Sequence, residues 1–139
     1  MDLPMRIKYI LLGRRAEVAE AAITLPVAIL VALFMANATL AGFASVNANN
    51  AANYGARIGS VTQGGSAGAA AGAANQALSA ARVGEYQVSV SGGGAPGSTI
   101  AVSVEWSFPN FFAGLAAMFG ATTDDFEGRA VSFFKQEGW

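Results

Sequence analysis

The sequence has no cysteine and no histidine among its 139 residues. The lack of cysteine excludes disulfides, thiolate metal sites and cysteine nucleophiles. The lack of histidine removes the commonest general base and the commonest zinc ligand. Charge is also scarce, because only 12% of the residues are charged, against about 25% in an ordinary soluble domain. The net charge of −1 argues against a nucleic-acid partner held by electrostatics. We therefore expect no enzyme, no cofactor and no bound metal.

The charges that are present leave a long neutral tract near the N-terminus. No charged residue occurs from Ala21 to Ala56. Its most apolar part, Ala21–Ala36, is 16 residues long and would rise about 24 Å as an α-helix. A bilayer core of about 30 Å takes roughly 20 residues, and the weakly polar sequence after Ala36 supplies the remainder without a charge. We predict one membrane-spanning helix, kinked but not ended at Pro26.

Basic residues on the N-terminal side of this run predict that the N-terminus lies inside and the C-terminal domain outside. Two other interpretations are open. The run could be the apolar region of a secretory signal peptide with a cleavage site at Ala36-Asn37-Ala38, which would leave a chain beginning at Thr39. It could also be the buried core helix of a soluble protein, although the rest of the chain offers little apolar helix to surround it.

Composition and periodicity divide the chain into four segments, the last of which is residues 85–139. Residues 1–15 form a basic leader or N-terminal segment, and 16–62 form one long helix, apolar at first and polar later. Residues 63–84 form a Gly/Ala-rich turn and a short second helix, for which a flexible linker is the alternative. Small residues recur every four positions along the long helix, which favours close packing of helix backbones; they are Ala28, Ala32, Ala36, Ala44, Ala48, Ala52, Ala56 and Ser60.

From residue 85 the hydrophobic period changes to two, which is typical of β-strands. Apolar residues alternate with polar ones over residues 85–91 and 100–108, with a glycine-rich loop between them. Phe126–Phe134 can add a third strand. Because two strands alone are marginally stable, the sheet must pack on the helix. The prediction is an α+β fold with a long hydrophobic N-terminal helix, a short second helix and a small antiparallel β-sheet head in residues 85–139.

An ordered set of motifs is more specific than the composition. Arg14-Arg15 precedes AEVAE, and Glu20 lies six residues before Pro26 within EAAITLP. The string NAANYGAR follows at residues 50–57, and the chain ends with IAVSVEWSFP and FEGRAVSFFKQEGW. In this combination the sequence resembles the TadE-like family, the pseudopilin-like proteins of tight-adherence (Flp-type) pilus systems. The resemblance extends from about Arg14 to Trp139.

The resemblance implies a type IV pilin-like plan with a basic leader inside, which a prepilin peptidase can remove. In the family a glycine precedes the cleavage point and a glutamate stands at mature position five. Glu20 matches that glutamate, which places the processing junction between Arg15 and Ala16. Arg15 stands where the family has glycine, so we expect an uncleaved chain. Processing at Arg15–Ala16 remains the alternative.

Candidate assembly residues are the charges that border the apolar run. A carboxylate beside an apolar environment is costly unless it is paired. Glu20 is expected to pair with the N-terminal amine of a neighbouring subunit after cleavage, or with Arg14 or Arg15 of a neighbour without it. Within one helix, Glu17 or Glu20 could pair with Arg14 or Arg15. The alternative for these carboxylates is exposure to water near lipid headgroups.

Arg57 is the single charge in a long neutral tract and lies within the NAANYGAR string. It could bond carbonyls or a carboxylate of the head, or it could simply be solvated. Gly55 in the same string could allow another chain or strand to approach closely.

The functional prediction is a structural pilin-like subunit that self-assembles through its N-terminal helix into an extracellular filament, a pilus used in adhesion. Its partners would be copies of itself, the inner membrane before assembly and other pilus-assembly proteins. The alternative is a membrane-anchored TadE-like accessory factor for pilus assembly or secretion. A secreted, adhesin-like binding domain is a third interpretation.

Overall fold

The structure is a computed structural model that describes residues 5–118 and 120–137, with side chains described for residues 17–114, 116–118 and 120–137. The elements follow the order α1, α2, β1, β2, α3 and β3. This is an α+β fold with a long apolar N-terminal helix, a short helix and a small three-stranded antiparallel sheet. The predicted fold class is confirmed, and the architecture is consistent with a pilin-like plan.

Helix α1 covers Met5–Val61. It continues through Pro26, as predicted, although proline removes one backbone donor from the helix interior. The predicted start near residue 16 is wrong, because the helix begins at Met5 and includes most of the basic segment. Seven of the eleven residues at positions 5–15 are Met, Leu, Lys or Arg, and these residues have high helix propensity whether or not they also serve as a charged leader.

Helix α2 covers Ser66–Leu78, so the Gly/Ala-rich segment is a helix and not a linker. It ends at Leu78, within the predicted segment 63–84. The Ser79 hydroxyl donates a hydrogen bond of 2.7 Å to the carbonyl of Gln76 at this terminus. A further short helix, α3 at Ala113–Met118, lies between the second and third strands. It was not predicted, because a segment of six residues is too short to display helical periodicity.

The sheet contains β1 (Glu85–Gly92), β2 (Thr99–Phe108) and β3 (Phe126–Lys135) in the order β1-β2-β3. Both strand pairs are antiparallel, with Val88 opposite Val104 and Val104 opposite Ala130. The three strands agree with the predicted alternation. The even-numbered residues form the inner face of the sheet and the odd-numbered residues the outer face, because successive side chains of a strand point to opposite faces.

The chain divides into two compact units, Met1–Ala36 and Asn37–Trp139. The first unit contains the N-terminal part of α1. The second contains the rest of α1, the other two helices and the sheet, and it has a hydrophobic core of its own. That core consists of small residues from α1 and α2 packed on three aliphatic residues of β2 and one alanine of β3: Ala48, Ala51, Ala52, Ala56, Ala70, Ala74, Ile100, Val102, Val104 and Ala130.

Candidate assembly site

The most apolar part of α1 is the candidate site for membrane contact and assembly. An 18-residue window within Glu17–Val61 reaches a mean hydropathy of 2.3, and none of it is buried inside the protein. Ten large apolar side chains of the first unit are between 40% and 73% exposed; they are Val18, Ile23, Leu25, Val27, Ile29, Leu30, Val31, Leu33, Phe34 and Met35. The described residues therefore do not bury this part of α1, as the core-helix interpretation would require. Its length and composition are compatible with membrane anchoring.

The carboxylates expected to act in assembly border this apolar surface. Glu17 and Glu20 are both exposed, and the carbonyl of Glu20 accepts a hydrogen bond of 2.8 Å from the Thr24 hydroxyl. The side chains of Arg14, Arg15 and Ala16 lie outside the described residues. The pairing of Glu17 and Glu20 with these arginines, and the processing junction, therefore stay predictions. Pro26 is an exposed residue of the same helix.

The NAANYGAR string has a clear structural role in the second unit. Its small residues Ala51, Ala52, Gly55 and Ala56 are buried. Its second asparagine, Asn53, accepts a hydrogen bond of 2.7 Å from the hydroxyl of Ser132 on β3. The string thus joins α1 to the sheet through one polar contact and a small-residue surface.

Two glycines allow α2 to approach α1 very closely. A Cβ atom on Gly55 would lie 2.8 Å from the carbonyl oxygen of Ala70 and 2.9 Å from the Cβ of Ala74. A Cβ atom on Gly59 would lie 2.6 Å from Cδ1 of Ile100 and 2.7 Å from the Cβ of Ala70. The close approach that the sequence indicates at Gly55 therefore involves a helix of the same chain.

The small residues that recur along α1 lie partly in the first unit and partly in the second. In the second unit these residues face the core and are buried; they are Ala44, Ala48, Ala52, Ala56 and Ser60. In the first unit Ala28, Ala32 and Ala36 are exposed. The second half of the repeat is thus explained by packing within the chain, whereas the first half has no such explanation.

Arg57 does not connect the head to α1 through its side chain. Its side chain is exposed, and within the described part of the chain it forms no ion pair. Its backbone carbonyl accepts a hydrogen bond of 2.8 Å from the hydroxyl of Ser60. The geometry agrees with the solvated alternative, and any role of Arg57 in contacts between subunits stays a prediction.

A second apolar surface on α1 lies on the helix side away from the core. Phe43, Val46, Tyr54 and Val61 are between 43% and 57% exposed. They lie on one side of the helix because their positions differ by multiples close to the helical period of 3.6 residues. We call these four residues the outer stripe of α1.

Gln136 joins the end of β3 to two other segments, and sequence reasoning missed this residue. It is 5% exposed. Its Oε1 accepts a hydrogen bond of 2.8 Å from the backbone N–H of Gly94 in the β1–β2 loop, and its Nε2 donates to the carbonyl of Thr62, 3.2 Å away, just beyond α1. The next residue, Glu137, donates its N–H to the carbonyl of Ser60 at 2.9 Å. In the sequence, the one signal for a buried amide is that Gln136 directly follows a strand of alternating burial.

The outer face of the sheet is polar at one end and carries few specific contacts. Glu85, Glu105, Glu127 and Arg129 line an open depression there. Arg129 Nε lies 3.9 Å from Glu105 Oε1, and both side chains are more than half exposed, so this ion pair contributes little to stability. Within residues 17–137, as far as their side chains are described, no group of three acidic residues could hold a metal ion.

In comparisons with protein-family models, curated proteins and solved structures, no match to this chain was found. The assignment of the fold therefore depends on the structure of this chain alone. The resemblance to the TadE-like family rests on the sequence motifs around Glu20 and at residues 50–57.

Proposed function

We propose that the protein is a structural, pilin-like subunit that self-assembles through its N-terminal helix into an extracellular filament. The observation that carries the proposal is the exposure of ten large apolar side chains between Val18 and Met35, each of which is at least 40% exposed. Burial of a large aliphatic or aromatic side chain is worth about 1.5–3 kcal/mol relative to exposure. A surface with ten such side chains requires an apolar environment, either lipid or copies of the same helix.

The independence of the second unit supports a modular role for the apolar helix. The core at residues 48–130 uses only the later part of α1, together with α2 and the sheet. The apolar part of the first unit is therefore not needed to complete that core. A head that folds without its apolar helix leaves the helix available for the membrane first and for neighbouring subunits afterwards.

The outer stripe favours assembly over anchoring alone. A bilayer core accommodates about 20 helical residues, so a span that begins at Ala21 ends near Leu40. Phe43, Val46, Tyr54 and Val61 follow that point and are exposed. Contact with a neighbouring subunit would cover them, and a non-closing contact repeated between identical subunits generates a helical filament.

In this proposal the chain is first held in the inner membrane with its C-terminal domain outside, and it is at the cell surface after assembly. A prepilin peptidase and other pilus-assembly proteins are the proposed partners, and adhesion is the proposed role of the filament. A second candidate function, a membrane-anchored accessory factor of pilus assembly or secretion, is favoured by the same exposed helix. In that case lipid, not neighbouring subunits, would cover it permanently.

The test combines intact mass spectrometry and electron microscopy on material sheared from the surface of cells that produce the protein. We expect filaments that contain this chain. A chain starting at Met1 in the filaments would show an uncleaved subunit, and one starting at Ala16 would show a processed subunit. Absence from the sheared fraction with retention in the membrane would favour the accessory factor. A soluble product starting at Thr39 would contradict both proposals.

A further inference from the structure

The connection between β2 and β3 is unusually apolar for an exposed segment. From Trp106 to Thr123 the sequence has no charged residue. We call residues 109–118, which include α3, the apolar connection. Within it Phe111 is 59% exposed and Met118 is 81% exposed. The ring of Phe111 meets Phe108, at the end of β2, edge to face with centroids 5.3 Å apart, so this aromatic side chain is held in position while much of it faces outward.

Asn110 fixes the start of the apolar connection on α1. The Nδ2 group of Asn37 donates a hydrogen bond to Oδ1 of Asn110 over 2.9 Å. Asn110 also donates its backbone N–H to Oδ1 of Asp125 at 3.1 Å and its Nδ2 to the carbonyl of Asp124 at 3.2 Å. Asn110 therefore joins the start of the connection to the residues just before β3 and to residue 37 of α1.

Asn37 directly follows Ala36, the last residue of the apolar run. A span that begins at Ala21 and ends near Leu40 therefore has its outer end within about one helical turn of the residue to which the connection is attached. The side chain of Asn37 is fully buried, and within the described residues its Oδ1 has no hydrogen-bond partner. The contact with Asn110 satisfies the amide nitrogen, which would otherwise meet the apolar boundary as an unpaired polar group.

We propose that the apolar connection is a second membrane-contact element, which inserts Phe111 and Met118 into the boundary between headgroups and acyl chains of the outer leaflet. The inference rests on the proposed insertion of the N-terminal helix before assembly. Aromatic and long apolar side chains favour this boundary. The exposed Asp124 and Asp125 come after the neutral stretch and can remain in water.

The composition of the connection also indicates which forces would drive its contact with the membrane. Interfacial helices commonly add attraction to anionic lipids through lysine and arginine, but residues 106–123 have neither. Binding of the connection should therefore depend on apolar burial. It should change little when phosphatidylglycerol is varied at constant acyl-chain composition.

The absence of cysteine from the chain allows one spin label to be placed at a time on the full-length protein. We would label Met118→Cys and Ala117→Cys, both at exposed positions. Ser89→Cys, exposed on the outer face of β1, is the control for a water-exposed site, and Leu30→Cys reports on the span. The proteins are reconstituted in vesicles of phosphatidylethanolamine and phosphatidylglycerol. The accessibility of each label to oxygen and to a polar nickel chelate is then measured.

We expect the oxygen-to-nickel accessibility ratio at Met118→Cys and Ala117→Cys to be several-fold higher than at Ser89→Cys, whatever the phosphatidylglycerol content. If Leu30→Cys is lipid-exposed and Met118→Cys behaves like Ser89→Cys, the inference is overturned while the membrane anchor stands. If Leu30→Cys is itself in water, the proposed membrane insertion fails and the inference with it. Spin–spin broadening at Met118→Cys that disappears on dilution with unlabelled protein would show contact between copies, which also overturns it.

Discussion

Gly59 is the residue at which a single methyl group should most clearly disturb the second unit. An added Cβ would lie 2.6 Å from Cδ1 of Ile100 and 2.7 Å from the Cβ of Ala70, inside van der Waals contact with two core residues. We expect Gly59→Ala to lower the free energy of unfolding by about 1–3 kcal/mol, the usual range for overpacking. Thermal unfolding followed by circular dichroism, in detergent micelles, measures this change.

Gly42 provides the matched control on the same helix. An added Cβ there would have no neighbouring atom within 4 Å, and alanine exceeds glycine in helix propensity by about 1 kcal/mol. Gly42→Ala should therefore leave stability unchanged or raise it. Equal losses for the two variants would contradict the view that close contact with β2 and α2 is the reason for glycine at position 59.

Residue-level contacts were the least predictable part of the molecule. The NAANYGAR string could be recognised as unusual, but its pattern could not show that Asn53 bonds Ser132 or that Gly55 faces α2. Gln136 was missed altogether, because its partners Gly94 and Thr62 are distant in sequence. Hydrogen bonds between distant segments depend on tertiary geometry, which a local period does not encode.

At the level of elements, periodicity was informative wherever one face of a segment is buried. The alternation around Val88 and Val104 gave the strands because the sheet has one face toward the helices. The start of α1 at Met5 was not found, since a charged segment can be helical as easily as an apolar one. The face of α1 that packs on the sheet carries alanine and glycine, while its larger apolar residues, such as Phe43 and Tyr54, are exposed.

The extent of the membrane-contacting part of α1 can be tested by placing a charge at two positions. Arginine at the centre of a transmembrane helix costs about 2.5–3.5 kcal/mol on insertion scales. Leu30 lies within the apolar run and is 40% exposed, whereas Phe43 lies beyond it and is 57% exposed. We expect Leu30→Arg to reduce the fraction of protein that remains in membranes after alkaline carbonate extraction. Phe43→Arg should leave that fraction unchanged.

The other possible results of this extraction experiment bear on which part of α1 is embedded in the membrane. Loss of membrane retention in both variants would show that the embedded segment extends past Phe43, which would leave less of the outer stripe for contacts between subunits. Full retention of Leu30→Arg would show that Leu30 does not lie at the centre of the embedded segment. The total amount of each variant in the cell, measured in the same samples, separates failed insertion from degradation.

For the whole molecule, the arrangement of charge and apolar surface links the two stages of the proposed function. Glu17 and Glu20 are exposed next to a run of residues without any charge. In the membrane stage such carboxylates can remain at the headgroup level. In a filament, where copies of the helix surround one another, a carboxylate becomes buried and must be paired, because an unpaired buried charge is strongly destabilising.

Glu20→Gln tests this pairing because it removes the charge and keeps the size of the side chain. We expect filament formation to be lost or strongly reduced, since glutamine cannot neutralise the positive group of a neighbouring subunit. The second unit, whose core begins beyond residue 36, should keep its folded state and its thermal unfolding.

Glu85→Gln is the control, because Glu85 is exposed on the outer face of the sheet, away from the helix that is proposed to mediate assembly. Filaments are counted by electron microscopy of sheared material, and the protein left in the membrane is quantified in parallel. Normal filaments from Glu20→Gln would show that this carboxylate stays in water during assembly, and the pairing would have to be abandoned.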